Sequence, residues 1–150
     1  MSAILIDRRL AIGGLLGLVA FKGAAANEAI PAEITAAIRE KVGAAEASEG
    51  GITLKVPDTA ENGAFVPVTV TVHSAMRGED RCTAIHLFAT RNPTPGVASY
   101  QLGAGLARAE VSARIRLAEG QVLLAYARMA DGSVRRAAAR VAVSTGGCLT

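Results

Sequence analysis

The sequence predicts an all-β chain: an immunoglobulin-like antiparallel sandwich of about seven strands, with a short helix before it. Three observations carry this. Apolar residues alternate with polar ones at period two over most of the stretch from Ile52 to Ser144. Turn signals such as Asn62-Gly63, Asn92-Pro93 and Asp131-Gly132 separate these runs at short intervals. The chain has 150 residues, enough for one such sandwich, and its 51% hydrophobic content is mostly small aliphatic side chains, with 3% aromatic and no Trp.

Residues 1–26 have the pattern of an export signal. Arg8-Arg9 is a twin-arginine start, Leu10 to Phe21 is an apolar run, and Ala24-Ala25-Ala26 is a small-residue cleavage site. The run is too short for a comfortable membrane helix, which needs about 20 residues. The expectation is therefore export, by the twin-arginine (Tat) route, to a bacterial periplasm, with no membrane attachment after cleavage. Such a compartment permits disulfides. The leader carries Arg8, Arg9 and Lys22 against Asp7, so much of the net charge of +3 lies there. The rest is nearly neutral and poor in aromatics, which argues against nucleic-acid binding.

The domain is expected over residues 27–143. Residues 31–43 read as an amphipathic helix with Pro31 at its first position, an Ile34, Ile38, Val42 stripe, and Gly43 as its stop. Ile52 to Val56 and Val66 to Val72 alternate and read as half-buried strands, separated by the polar loop 58–63. Pro67 cannot donate to a ladder, which places the start of its strand at an edge or bulge. Residues 75–81 form a charged loop. Cys82 to Thr90 is a strand with Ile85 and Leu87 on one face and His86 and Phe88 on the other. Val97 to Leu102 and Val111 to Leu117 follow. Val122 to Met129 is apolar throughout, as in a central strand buried on both faces, and Asp131-Gly132 turns the chain into a last strand from Ser133 to about Ser144.

No nucleotide-binding, serine-hydrolase or zinc-protease signature is present. His73 and His86 lack a cysteine or carboxylate at metal-ligand spacing, so no metal and no cofactor are expected. Arg135, Arg136, Arg114, Arg116 and Arg140 read as a solvated sheet face, or as a partner-docking surface. The chemistry concentrates in residues 144–150, Ser-Thr-Gly-Gly-Cys-Leu-Thr. Gly146 and Gly147 permit many backbone conformations, so Cys148 is expected on a flexible arm that reaches roughly 20 Å at ~3.3 Å per residue. A thiol so tethered suits a covalent carrier. No Lys, Arg or His flanks Cys148, so thiolate formation would fall to a partner's pocket. The competing readings are an exported structural or binding subunit whose Cys148 only forms a disulfide, and a redox enzyme using Cys82 and Cys148 as a dithiol. Cys82 is a second candidate thiol, or a buried residue at a strand start.

Several pieces in order resemble SoxY, the carrier subunit of the periplasmic sulfur-oxidising (Sox) system. They are Asp58-Thr59-Ala60-Glu61-Asn62-Gly63 with Val66-Pro67, Arg91-Asn92-Pro93-Thr94-Pro95-Gly96-Val97-Ala98, Ala113-Arg114-Ile115-Arg116-Leu117-Ala118, Asp131-Gly132 and the terminal Gly146-Gly147-Cys148. The resemblance implies an immunoglobulin-like domain paired with a SoxZ-like subunit as a heterodimer. It implies a non-enzymatic carrier bearing thiosulfate-derived or sulfane sulfur on Cys148, with Gly146 and Gly147 as hinges. A SoxAX-like cytochrome would load the thiol, a SoxB-like hydrolase would release sulfate, and other sulfur-oxidation enzymes would act transiently. The family tail reads Gly-Gly-Cys-Gly-Gly, whereas this one ends Gly-Gly-Cys-Leu-Thr.

Overall fold

The computed structural model describes residues 29–144. The order is α1 (Ala32–Val42), β1 (Ala47–Glu49), β2 (Ile52–Lys55), β3 (Thr59–Ala60), β4 (Val66–Val72), a 3-10 turn (Gly78–Asp80), β5 (Cys82–Ala89), β6 (Gly96–Gln101), β7 (Ala109–Ile115), β8 (Gln121–Met129) and β9 (Val134–Val143). The large sheet runs β1-β9-β8-β5-β6, with β3 also on β9, and the small sheet runs β2-β4-β7. All seven expected strands are present. The two additional ones, β1 and β3, are three and two residues long.

These short strands also depart from the expected antiparallel pattern, because both pair with β9 in parallel. They share one edge of β9: Gly50 donates to the Arg136 carbonyl, and Ala142 and Ser144 donate to Asp58 and Ala60. Even-numbered residues of a strand present their backbone groups on one side. The segment 47–60 thus enters the large sheet, crosses to the small one as β2, and returns. This closes one flank of the sandwich. The opposite flank, between edge strands β6 and β7, stays open.

Val68, Val70 and Val72 of β4 meet Ile85, Leu87, Leu123, Ala125 and Val141 in the core between the sheets. A second core explains why β5 and β8 are apolar on both faces. Helix α1 lies on the outer face of the large sheet, and its Ile34 and Val42 pack with Phe88, Val122, Leu124, Tyr126 and Val134. Phe88 and Tyr126 meet edge-to-face, 5.8 Å between centroids. Pro31 caps the helix rather than opening its first turn, and Gly43 ends it at φ 98° with its N–H on the Arg39 carbonyl.

Pro67 sits where β2 has ended. Strand β2 covers Thr69 to Val72, so the backbone at Pro67 faces β7 alone. His86, on the outer face of β5 with Phe88, is buried, at 4% exposed. One expectation needs correction. Arg135 and Arg136 are not on a free solvated face. Arg135 donates to the His73 carbonyl and to Asp80 at 3.0 Å, and Arg136 pairs with Glu49 at 3.0 Å. The charged loop 75–81 also contributes to the core, since Met76 is buried at a left-handed φ of 53°. Asp80 closes this loop by accepting from the Ala75 N–H. That bond foremost, and Arg135 beyond it, hold its carboxyl below the usual range.

Candidate functional site

Strand β9 leads toward Cys148, so the site is the end of the sandwich where β9 finishes. Residues 145–150, with Gly146, Gly147 and Cys148, lie outside the described residues, as do Arg8 and Arg9 of the leader. The last described residue, Ser144, is held at a single acceptor: its N–H and its hydroxyl both donate to the Ala60 carbonyl, at 2.9 and 3.4 Å. One step back, the Ala142 N–H donates to the Asp58 carbonyl at 2.8 Å.

The polar loop 58–63 is therefore a clamp on the end of β9. Asn62 makes it compact by accepting from the Ala64 N–H at 2.9 Å. Gly63 then lies against the chain leaving β7, where its carbonyl accepts from Leu117 N–H at 2.8 Å. A Cβ on Gly63 would fall 2.3 Å from the Leu117 carbonyl oxygen and 3.0 Å from Val143 Cγ1. Glycine is required here by close approach, not by a left-handed backbone.

The adjoining turns are joined by Asn92 and Gln121. The Asn92 amide donates to the Arg116 carbonyl at 2.8 Å, and its oxygen accepts from Ala118 N–H at 2.9 Å and from Gln121 Nε2 at 2.8 Å. Gln121, 1% exposed, also accepts from Arg91 N–H at 2.7 Å. Every hydrogen-bonding group of this side-chain pair that the turn needs is satisfied. Gln121 went unnoticed in the sequence because a lone Gln beginning an apolar run carries no periodic signal.

Three of the sequence pieces, 58–63, 91–98 and 113–118, thus meet at one end of the fold around the exit of β9. Two concavities lie there. A small one of about 470 Å³ is lined by Glu61, Asn62, Gly63, Arg116, Val143 and Ser144 among others. A larger groove of about 720 Å³ opens on the unclosed flank, floored by Val97, Ala98 and Ile115 and bordered by Tyr100, Arg114 and Arg116. They share Arg116 and Ala118.

Cys82 is at the other end. It opposes Met129, next to the hairpin from which β9 departs. Its sulfur is fully buried, donates weakly to the Ala84 carbonyl at 3.6 Å, and burial raises its pKa, so it holds its proton. The ten residues of β9 span ~33 Å. Four residues from Ser144 to Cys148 reach at most ~14 Å. A bridge between Cys82 and Cys148 of one folded chain is out of reach. His73, just past the end of β4 and bonded to Thr53 Oγ1 at 2.7 Å, and His86, on β5 and bonded to Ser99 Oγ at 2.8 Å, are set apart by the fold. Among the described residues no group of three His, Cys, Asp or Glu side chains could hold a metal ion.

The comparisons agree with this picture. The sequence model of the family described as sulfur oxidation protein SoxY matches residues 27–148, ending on Cys148. The structure of the sulfur carrier protein SoxY from Chlorobium limicola f thiosulfatophilum is similar with a TM-score of 0.63 and 35% identity, over 75% of this chain and 96% of that one. A superoxide reductase (neelaredoxin) from Ignicoccus hospitalis gives 0.55 and 16%, over 62% and 79% of the two chains. One from Nanoarchaeum equitans gives 0.53 and 8%, over 65% and 99%. At those identities the reductases share the fold alone. No match was found among curated protein sequences. With the family pattern spanning the chain to Cys148 and its pieces gathered around one end of the fold, the chain belongs to the SoxY family.

Proposed function

We propose that this chain is an exported sulfur carrier that holds sulfur intermediates covalently on Cys148 and presents them to partner enzymes, without catalysis of its own. One observation carries the reading. The family pattern runs to Cys148, and the residues that carry it fold into a clamp around the strand that leads there. A carrier thiol needs a fixed root and a free end, and the clamp supplies the root.

The chemistry follows from the thiol. Thiosulfate and the Cys148 thiol join as Cys–S–S–SO3⁻, with loss of one proton and two electrons to a c-type cytochrome of SoxAX type. Water then splits the terminal S–S bond in a SoxB-type hydrolase, releasing sulfate and a proton and leaving Cys–S–SH for further oxidation. The compartment is the periplasm, reached by the twin-arginine route, and the standing partner is a SoxZ-like subunit. The rival dithiol enzyme is disfavoured by the distance and burial of Cys82.

The test is the intact mass of protein purified from cells fed reduced sulfur. A ladder of reductant-sensitive adducts confined to the Cys148 peptide, absent in Cys148→Ser and kept in Cys82→Ala, is expected. A single unmodified mass under all growth conditions would overturn the proposal.

A further inference from the structure

Helix α1 covers the outer face of the large sheet, and one polar ring lies on that face. His86 shares it with Phe88 and is 4% exposed. Its Nδ1 shares a 2.8 Å hydrogen bond with Ser99 Oγ, while its buried Nε2 has no partner among the described residues. Nor, among the described residues, does a carboxylate face it. Strand β6 brings the uncharged Ser99, and β8 brings the Arg128 cation and Tyr126, whose hydroxyl burial keeps neutral. Helix α1 brings the Lys41 cation, and Glu40 stands beside Lys41 in solvent, at 3.4 Å. A neutral ring fits this place. A charged one would add a third cation in a dry site, with its Nε2–H unpaired.

The covering helix is separable from the sandwich. Its contacts form a core of their own, Ile34 and Val42 with Phe88, Val122, Leu124, Tyr126 and Val134, apart from the core between the sheets. It has 11 residues and no side-chain cap at Pro31. A helix so short is marginal in water and persists through its docking. Gly43, at φ 98°, and the three residues after it join it to β1. The helix can therefore leave while Val70, Leu87 and Leu123 stay packed between the sheets.

We propose that α1 is an acid-sensitive cover: protonation of the buried His86 lifts the helix from the large sheet while the two sheets beneath stay folded. The direction follows from linkage. With the helix off and the ring wet, His86 has its ordinary pKa of about 6.5. Under the helix it has a lower one, from burial first and then from Arg128 and Lys41. Above about pH 6.5 the ring is neutral in both forms and the helix stays down. Below it the lifted form takes up the proton first, so lifting is favoured by at most about tenfold more for each pH unit. Lifting bares an apolar face of Phe88, Val122, Leu124 and Tyr126. The device is independent of Cys148 and of what it carries.

Amide hydrogen exchange of the full chain tests it, corrected for the intrinsic rate and read at pH 7.5 and 5.5 over a series of low urea concentrations. The Ile38 and Lys41 amides, inside α1, are expected to open about threefold to tenfold more at pH 5.5 than at 7.5. They should respond little to urea, as in an opening that exposes little surface. The Val70 amide, between β2 and β7, should be better protected and respond steeply to urea. If Ile38 and Val70 share one protection and one urea slope, the helix opens only with the whole domain and the proposal is overturned. Corrected exchange of α1 that is equal at the two pH values also overturns it. His86→Gln should abolish the pH response, with thermal melting to check that the fold is kept. A response that persists in this variant belongs to another group and overturns the role of His86. Where the variant does not fold, NMR titration of the His86 ring in wild type decides. Its midpoint should lie below about 6.5, and a midpoint at or above that overturns the proposal.

Discussion

Replacing Gly63 with alanine tests the clamp most directly. The added Cβ would lie 2.3 Å from the Leu117 carbonyl oxygen, a backbone atom that cannot rotate away. The loop or the chain after β7 must shift by about an ångström to restore contact distance. That shift breaks the 2.8 Å bond between Leu117 N–H and the Gly63 carbonyl and presses on Val143. Overpacking costs about 1–3 kcal/mol, and the broken bond adds about 1. The sum, about 2–4 kcal/mol, should lower Tm by roughly 6–16 °C for a domain of this size. Gly96→Ala is the control, because its Cβ meets no atom within 4 Å and its φ is not left-handed. It should move Tm by no more than a few degrees. Thermal melting of both proteins, with amide exchange at Ser144, decides the matter. If Gly63→Ala melts with Gly96→Ala and Ser144 stays protected, the close-approach argument is wrong.

Three other expectations can be checked together. Asn92→Ala removes three hydrogen bonds and strands part of the buried Gln121 amide, so urea denaturation should show a loss of about 2–4 kcal/mol. Burial, with Arg128 and then Lys41, lowers the pKa of His86, while Ser99 and Tyr126 flank it without adding charge. The unfolded chain therefore takes up that proton first. Stability should be full above about pH 6.5 and fall below it, by at most about 1.4 kcal/mol per unit, and His86→Gln should flatten this slope between pH 7 and 5. Cys82 should resist alkylation in the native protein and react only as denaturant unfolds it. Reaction at the native rate of an exposed thiol would contradict its burial.

The long strands were legible because periodicity survives wherever one face is wet. The continuous apolar run of β8 also read correctly as buried on both faces, and the structure gives the cause in helix α1. What escaped the sequence was structure without a period. Strand β3 is two residues inside a polar loop, and its pairing partner lies more than eighty residues away. His86 shares its face with Phe88, and only the helix laid across that face makes it dry, which no local pattern shows. Arg135 and Arg136 looked solvated because their partners, Asp80 and Glu49, come from distant loops and strands. For the site, the sequence pointed to the right end of the chain but not to the surface around it. The pieces 58–63, 91–98 and 113–118 each read as ordinary turns or strand. Their convergence is a property of topology, since β5, β7 and β9 all finish at the same end of the sandwich.

That convergence bears on how a carrier arm would be built. One view is that the clamp limits the length of the tether. If Ala142 and Ser144 let go, three further residues would join the four that lead to Cys148. Effective concentration at a partner's site falls roughly as the −3/2 power of tether length, so the loss would be only about twofold. Length alone is too weak an effect to explain three segments meeting at this point. Direction is the stronger effect. With Ser144 held on Ala60 of β3, the chain leaves the body at the closed flank, beside the small concavity that Arg116 also lines. A clamp variant that still folds should therefore keep accepting sulfur on Cys148 but pass it to partner enzymes more slowly. Loss of acceptance as well, in a protein with an unchanged melting curve, would mean that the clamp takes part in loading and not only in aiming the tail.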